Sequence, residues 1–447
     1  MKIGFLPLYI ALYDECVPEK RPAMQAFADK IAGELAKRGL ELIKAPICCL
    51  EEEFADAVRH FEMEGCEGIA TLHLAYSPSL ESAEILAKSP LPIVIIDTTP
   101  DYEFTSPAGI MDNHGIHGVQ DLCNILLRKK KPFQIVCGHY EMSPCLDEAI
   151  AALTGARMAK KMQSLRIGRI GGYFKGMGDF RVPEGTFGME LVSYTPREEP
   201  SEEAVKKEIE EYKSSYIVDK TVTEEGLART ARACLKIRSF IEKEKLDAFT
   251  MTFLDINYKE GWETVPFLEC SKAMGRGIGY AGEGDVLTAG LAKCLLDVFP
   301  ETSFGEMFCP DWKNERIFTS HMGEINLALA HRKPLLAEKP YSFSDTGRPV
   351  AAYCCFKEGE AILTDLAPGP DGTFTLIVSK VRFEAPDKEA STSGNEGYFK
   401  PSCGKIAKFL KEYSLLGGTH HLCISYGGNI EILRSFAHCM GWRFAEI

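Results

Sequence analysis

Two glutamates and three histidines stand in settings where their side chains could hold a divalent cation and move protons. The sharpest setting is Gly279-Tyr-Ala-Gly-Glu-Gly-Asp285, which joins an apolar strand-like run to a helix-like run whose Leu287, Leu291, Leu295 and Phe299 share one face. Ligands of open α/β sheets bind beyond the carboxyl ends of strands, and a carboxylate in a first helical turn is favoured by the unpaired N–H groups there. Glu283 thus occupies a place suited to an ionised ligand, although a simple acidic helix cap accounts for it equally. Glu306 follows in Thr302-Ser-Phe-Gly-Glu306, and Arg316-Ile-Phe-Thr-Ser-His-Met322 alternates as a strand that puts His321 on one face with Thr319. In Gly417-Gly-Thr-His-His-Leu-Cys423 the glycines permit close backbone approach. If that segment is extended, His420 and His421 face opposite sides and only one of them reaches a given ion. Two carboxylates and one or two imidazoles, without a thiolate, form an oxygen/nitrogen donor set suited to Mn²⁺, with Mg²⁺ or Co²⁺ possible.

These residues need a scaffold, and the apolar pattern supplies one. Over residues 1–165 short apolar runs (Lys2–Ile10, Leu42–Ile47, Gly68–Leu74, Ile93–Asp97, Phe133–Cys137) alternate with helical segments such as Pro22–Arg38 and Glu51–Phe61. Continuous apolar strands are expected where helices cover both faces of a sheet, so this reads as a doubly wound α/β domain. Pro7-Leu8-Tyr9 stands where a dinucleotide-binding fold would carry its glycine fingerprint, which leaves a scaffold as the simpler role. Residues 166–300 repeat the pattern: Ile167–Tyr173, a Ser201-capped acidic helix to Tyr212, a helix over Glu224–Lys245, a strand at Ala248–Phe253, a strand near Gly277–Ala281, and the helix from Val286 to Phe299. Residues 301–447 change texture, with strands at Val350–Phe356, Ala361–Leu366 and Thr373–Phe383, a polar loop at Asp387–Gly397 and a closing helix near Ile430–Cys439. The fold class expected is α/β: two doubly wound α/β domains, 1–165 and 166–300, then a mainly β, barrel-like domain, 301–447.

Composition narrows the function. The 447 residues are 45% hydrophobic and 26% charged, as in a folded globular protein. A formal net charge of -13 disfavours nucleic acid and anionic membrane surfaces as partners, and the one dense basic run, Arg128 to Lys131, reads as a solvated helix end. No apolar stretch reaches the ~20 residues that span a bilayer. Sixteen scattered cysteines without a C-x-x-C motif fit reduced thiols and a cytoplasmic setting better than a disulfide framework or zinc knuckle.

The order Gly-Glu-Gly-Asp (282–285), Thr-Ser-Phe-x-Glu (302–306), His-Met-x-Glu (321–324) and Gly-Gly-x-His-His (417–421) resembles the L-arabinose isomerase family. A second, related resemblance, to the L-fucose isomerases, lies in Phe187-Gly-Met-Glu-Leu-Val-Ser-Tyr194 and Lys175-Gly-Met-Gly-Asp179. The resemblance implies a metal-dependent aldose–ketose isomerase acting through an enediolate on a pentose, deoxyhexose or related sugar, assembled as a homotrimer or homohexamer. It implies Glu283, Glu306, His321 and His421 as metal ligands, with both glutamates catalytic, and Met177 and His420 as substrate contacts. The chain departs from the arabinose isomerases in lacking their Gly-Ser-Gln-x-Leu-Tyr-Gly opening and in Met307-Phe-Cys-Pro-Asp-Trp312, regions that shape the sugar pocket in that family. A non-catalytic sugar sensor and a metal-dependent sugar epimerase are the competing readings.

Overall fold

The computed structural model describes residues 1–196, 198–386 and 394–447, and these form two compact units: 1–159 with 431–440, and 160–430 with 441–447.

The first unit is built on β1 (Lys2–Leu8), β2 (Glu41–Lys44), β3 (Gly68–His73), β4 (Ile93–Asp97) and β5 (Phe133–Cys137), all parallel in the order β2-β1-β3-β4-β5. Successive residues point to opposite faces, and both faces are covered. Ile3, Phe5, Leu72, Val94 and Ile96 pack with Met24, Ile31 and Leu35 of the helix Arg21–Lys37. Leu6, Leu8, Ile69, Ile93 and Ile95 pack with Phe54, Val58, Leu122 and Leu126 of the helices Glu51–Met63 and Ile116–Arg128. The helix Ile430–Met440 contributes residues 431–440 to this unit. Its Ser435 receives the Gln134 amide at 2.6 Å and donates to the Ala152 carbonyl at 2.9 Å. A Cβ on Gly155 would come within 2.3 Å of the Ser435 Oγ, so only glycine admits this approach.

The second unit continues with β6 (Arg166–Ile170), β7 (Glu190–Ser193), the two-residue β8 (Ile217–Val218), β9 (Ala248–Met251) and β10 (Gly279–Gly282). Four of these form a parallel sheet in the order β10-β9-β6-β7. The helices Glu202–Ser215 and Glu224–Lys243 begin at Ser201 and Thr223, whose side chains accept from the N–H of Ala204 and Gly226. The remaining strands are β11 (Thr302–Asp311), β12 (Arg316–His321), β13 (Leu335–Glu338), β14 (Val350–Tyr353), β15 (Gly359–Pro368), β16 (Phe374–Phe383), β17 (Asn395–Pro401), β18 (His421–Tyr426) and β19 (Arg443–Glu446). Seven of them run in the order β15-β18-β11-β12-β17-β16-β19, and an added β15–β16 pairing closes the sheet into a barrel. β13 lies between β14 and β8 in a separate small sheet.

The architecture is therefore α/β with a mainly sheet carboxyl-terminal part, as the sequence pattern leads one to expect. Boundaries shift locally. The strand expected to reach Phe253 ends at Met251, where the chain turns into a short 3₁₀ segment, and the polar loop expected over Asp387–Gly397 gives way to β17 at Asn395. Residues 387–393 of that loop lie outside the described residues. Among the described residues no disulfide forms and no helix is long and apolar enough to cross a membrane.

Candidate metal centre

Four segments of the second unit meet at one point. β10 delivers Glu283, β11 delivers Glu306, β12 ends on His321 and β18 begins on His421. Glu306 and His421 are direct cross-strand partners, so one face of the β11–β18 ladder carries both. The His421 Nε2 lies 3.0 Å from the Glu306 Oε1 and 3.4 Å from the Glu283 Oε2, and the His321 Nε2 lies 3.6 Å from the Glu306 Oε1. Ligand atoms of Glu283, Glu306, His420 and His421 all fall within 4.8 Å of one another.

Local geometry explains why these residue types sit where they do. Glu283 has φ 61, a left-handed conformation that a side chain adopts at a cost of ~1–3 kcal/mol and that recurs at functional sites. Its backbone is tied on both sides, N–H to the Met251 carbonyl at 2.8 Å and carbonyl to the Phe174 N–H at 2.9 Å. A Cβ on Gly282 would press on the His321 ring, and one on Gly284 would meet the Gly172 carbonyl oxygen at 2.4 Å. Glycine on either side of Glu283 thus lets an imidazole and a neighbouring loop close on it.

Each buried imidazole is aimed by a carboxylate. Asp285 caps the helix Val286–Leu296 with one oxygen, 2.8 Å from the Thr288 N–H, and takes the His421 Nδ1 at 2.8 Å with the other. Glu324 takes the His321 Nδ1 at 2.6 Å, accepts from the Gly323 N–H at 2.9 Å and receives the Tyr280 hydroxyl at 2.7 Å. Phe304 meets both rings edge-on, and Phe180 stacks on His421 at 4.9 Å and 10°. Such partners fix the tautomer and leave Nε2 facing the centre.

Electrostatics run the same way. Burial pushes the Glu283 carboxyl up, but the adjoining His420 and His421 outweigh it and hold it at about 2. Burial likewise opposes ionisation of Glu306, and His421 and His321 bring it below the usual carboxylate range. His421 is buried, which disfavours its charge, yet Asp285, Glu283 and Glu306 together raise it well above an ordinary imidazole. Glu283 Oε2, His420 Nε2 and His421 Nε2 are nonetheless buried without a hydrogen-bond partner. Buried polar atoms in folded proteins are almost always satisfied, and two carboxylates and imidazole nitrogens converging in this way could hold a metal ion.

The five glutamate and histidine positions singled out from sequence lie around one centre, but the four whose ligand atoms are mutually within 4.8 Å include His420 and not His321, which meets the centre at Glu306, 3.6 Å away. His420 precedes β18 at a bend instead of lying within it, so strand alternation does not apply, and its ring lies 4.3 Å from that of His421 on the same centre. Its Nε2 is 3.6 Å from the Glu283 Oε2 and 4.0 Å from the Glu306 Oε1. Met177 is half-buried in the segment that follows β6, two residues before Asp179. Sequence reasoning assigned no role to Asp285, Glu324 or Asp179. The first two were signalled by their offsets, Asp285 at a helix N-cap and Glu324 three residues after His321, whereas Asp179 and His420 are 241 residues apart.

Residues 185–299 match the L-arabinose isomerase central domain and residues 301–443 the L-arabinose isomerase C-terminal domain, together more than half of the chain. An L-arabinose isomerase of Geobacillus kaustophilus is 26% identical over 411 residues, covering 85% of this chain and 80% of that protein. One from Serratia proteamaculans is 24% identical over 96% of this chain and 91% of its own length. Among solved structures, a periplasmic solute-binding protein from Actinobacillus succinogenes with bound D-allose aligns at 12% identity over 66% of this chain and 90% of that one, with a TM-score of 0.18, too slight a likeness to bear on fold or function. Domain matches that run in order through the strands carrying Glu283, Glu306, His321 and His421, with relatives aligned along most of the chain, make this protein a divergent member of the L-arabinose isomerase family.

Proposed function

We propose that this protein is a divalent-metal-dependent aldose–ketose isomerase acting on a pentose, deoxyhexose or related sugar. The observation that carries the reading is the His421 Nε2 lying 3.0 Å from the Glu306 Oε1 and 3.4 Å from the Glu283 Oε2, with the Glu283 Oε2 and the His421 Nε2 buried and without a hydrogen-bond partner. Family membership supports an isomerase of sugars.

Interconverting an aldose and a ketose requires a proton to leave the carbon beside a carbonyl and return one carbon away. Glu283 and Glu306 would hold the ion together with His421 and His321, and both are carboxylates at neutral pH, able to accept a proton. When bound, a divalent ion supplies electrostatic stabilisation of the negative charge that develops on the sugar oxygens. Asp285 and Glu324 keep the two imidazoles in the tautomer that faces the centre. Burial of the Glu283, Asp285 and His421 side chains, with Phe180 and Phe304 packed on the rings, limits water at that point and strengthens each charge interaction. Mn²⁺ suits the donor set, with Mg²⁺ or Co²⁺ as alternatives. A homotrimer or homohexamer in the cytoplasm completes the reading, as does a division into modules 1–165, 166–300 and 301–447, for which the junction of the two matched domains near residue 300 is the support at the last boundary.

The test is a sugar panel assayed for aldose–ketose conversion with Mn²⁺, using the wild type, Glu283→Gln and Glu306→Gln. Conversion by the wild type and a loss of about 10³-fold or more in both variants is expected. Near-wild-type turnover by either variant would sink the two-glutamate mechanism. Binding without conversion would favour a sensor, and solvent hydrogen entering at C2 without ketose formation would favour an epimerase.

A further inference from the structure

One dipeptide touches both histidines of the pair. The segment after β6 is fixed at several points: the Gly172 N–H donates to Asp255 at 2.9 Å, the Phe174 N–H to the Glu283 carbonyl at 2.9 Å, and Arg181 to the Phe174 carbonyl at 2.7 Å. It presents Asp179 and Phe180 side by side. A single Asp179 oxygen, Oδ2, accepts from the His420 backbone N–H at 2.9 Å and meets the His420 Nδ1 at 2.7 Å. Phe180, fully buried, stacks on His421 and reaches His420 at 5.5 Å.

We propose that Asp179 and Phe180 act as a clamp with two separate duties: Asp179 is a positioning residue that holds the His420 Nε2 toward the substrate side of the centre, and Phe180 sets the plane of His421 as a metal ligand. The duties divide because the partners differ. His421 already has Asp285 on its Nδ1, so it needs only an orienting surface, whereas Asp179 is the carboxylate on the Nδ1 of His420, whose backbone it also holds. The oxygen that receives the His420 backbone N–H also meets its Nδ1, so the main chain is held while the ring cannot rotate without giving up its own contact with Asp179. Its Nε2 stays 3.6 Å from Glu283 and 4.0 Å from Glu306, farther than the 3.0 Å that separates His421 from Glu306. His321 also stands off, 3.6 Å from Glu306, so what sets His420 apart is its open edge: 36% of its side chain is exposed, against 5% for His321 and 0% for His421, the side from which a sugar hydroxyl can approach.

The assignment of His420 to the substrate rests on the isomerase reading, and the clamp itself is testable without it. In metal-free protein labelled with ¹⁵N-histidine, the wild type should show a downfield, hydrogen-bonded His420 Nδ1 proton that Asp179→Ala abolishes; its persistence in that variant would overturn the clamp. Mn²⁺ titration followed by electron paramagnetic resonance should give Asp179→Ala an affinity within about twofold of wild type and Phe180→Leu one weaker by about tenfold, the scale of outer-shell effects. On the sugar the panel identifies, Asp179→Ala should lose about tenfold or more in kcat, and Asp179→Asn, whose amide oxygen can take both bonds, should restore most of it. Turnover of Asp179→Ala at the wild-type rate, or loss of Mn²⁺ affinity together with turnover, would overturn the division of duties. If the wild type converts no sugar, the isomerase reading fails, and the proton signal and Mn²⁺ affinities still decide the clamp.

Discussion

Asp285 serves two structures with two oxygens, so its substitutions separate them. Asp285→Asn keeps a good N-cap but gives up the charge on the His421 Nδ1, and Mn²⁺ affinity should fall by about 10- to 100-fold with little change in melting temperature. Asp285→Ala should add a stability loss of about 1 kcal/mol from the open helix end, measured by urea unfolding. An equal loss of stability in both variants would remove the distinction. At this scale the sequence was legible where a residue's role follows from its neighbours: Glu283 between glycines after a strand, His321 at the end of an alternating run. It was not legible where the partner is remote. Nothing local to Lys175–Asp179 marks the carboxylate that His420 will meet, and the bend that turns His420 inward depends on how Gly417–Thr419 folds, not on a periodic pattern.

Among elements, the helices Glu202–Ser215, Glu224–Lys243 and Phe267–Gly275 are joined by a buried charge network. Arg238 makes paired 2.7 Å contacts with Glu208 and a 2.7 Å contact with the fully buried Glu269, and Lys272 reaches Glu208 at 2.7 Å. Arg238→Leu leaves two buried carboxylates without their main partner and should cost about 3–5 kcal/mol in urea unfolding, against near zero for an exposed pair such as Arg59–Asp56. The same network sets an acid limit. Burial would raise the Glu208 carboxyl, but Arg238 and Lys272 hold it at about 2, below its usual 4.5. The folded state therefore binds fewer protons than the unfolded chain between those values, and the stability this ion pair gives, complete above about pH 4.5, drains away as pH falls toward 2. Chemical unfolding across that window should show the decline in the wild type and a shallower one in Glu208→Gln. The helices themselves were readable from caps such as Ser201 and from apolar spacing, whereas β12, β17 and β18 pair across chain separations that periodicity cannot report, so a barrel was foreseeable only as a class.

For the molecule as a whole, a cation that binds only the folded centre adds stability by mass action, about 2.7 kcal/mol at a hundredfold excess over its dissociation constant. Thermal unfolding with Mn²⁺ and then with a chelator should show an upward shift that reverses, and the shift should vanish in a Glu283→Gln, His421→Ala double variant; a shift unchanged in that variant would place the binding elsewhere. One further property follows from the helix at 430–440, which belongs with the first unit although the chain on either side of it belongs with the second. During synthesis Gln134 and the Ala152 carbonyl must wait for Ser435, which follows them by 301 and 283 residues. The first unit therefore cannot be completed in the order in which it is translated, and a nascent fragment released before residue 440 lacks part of it.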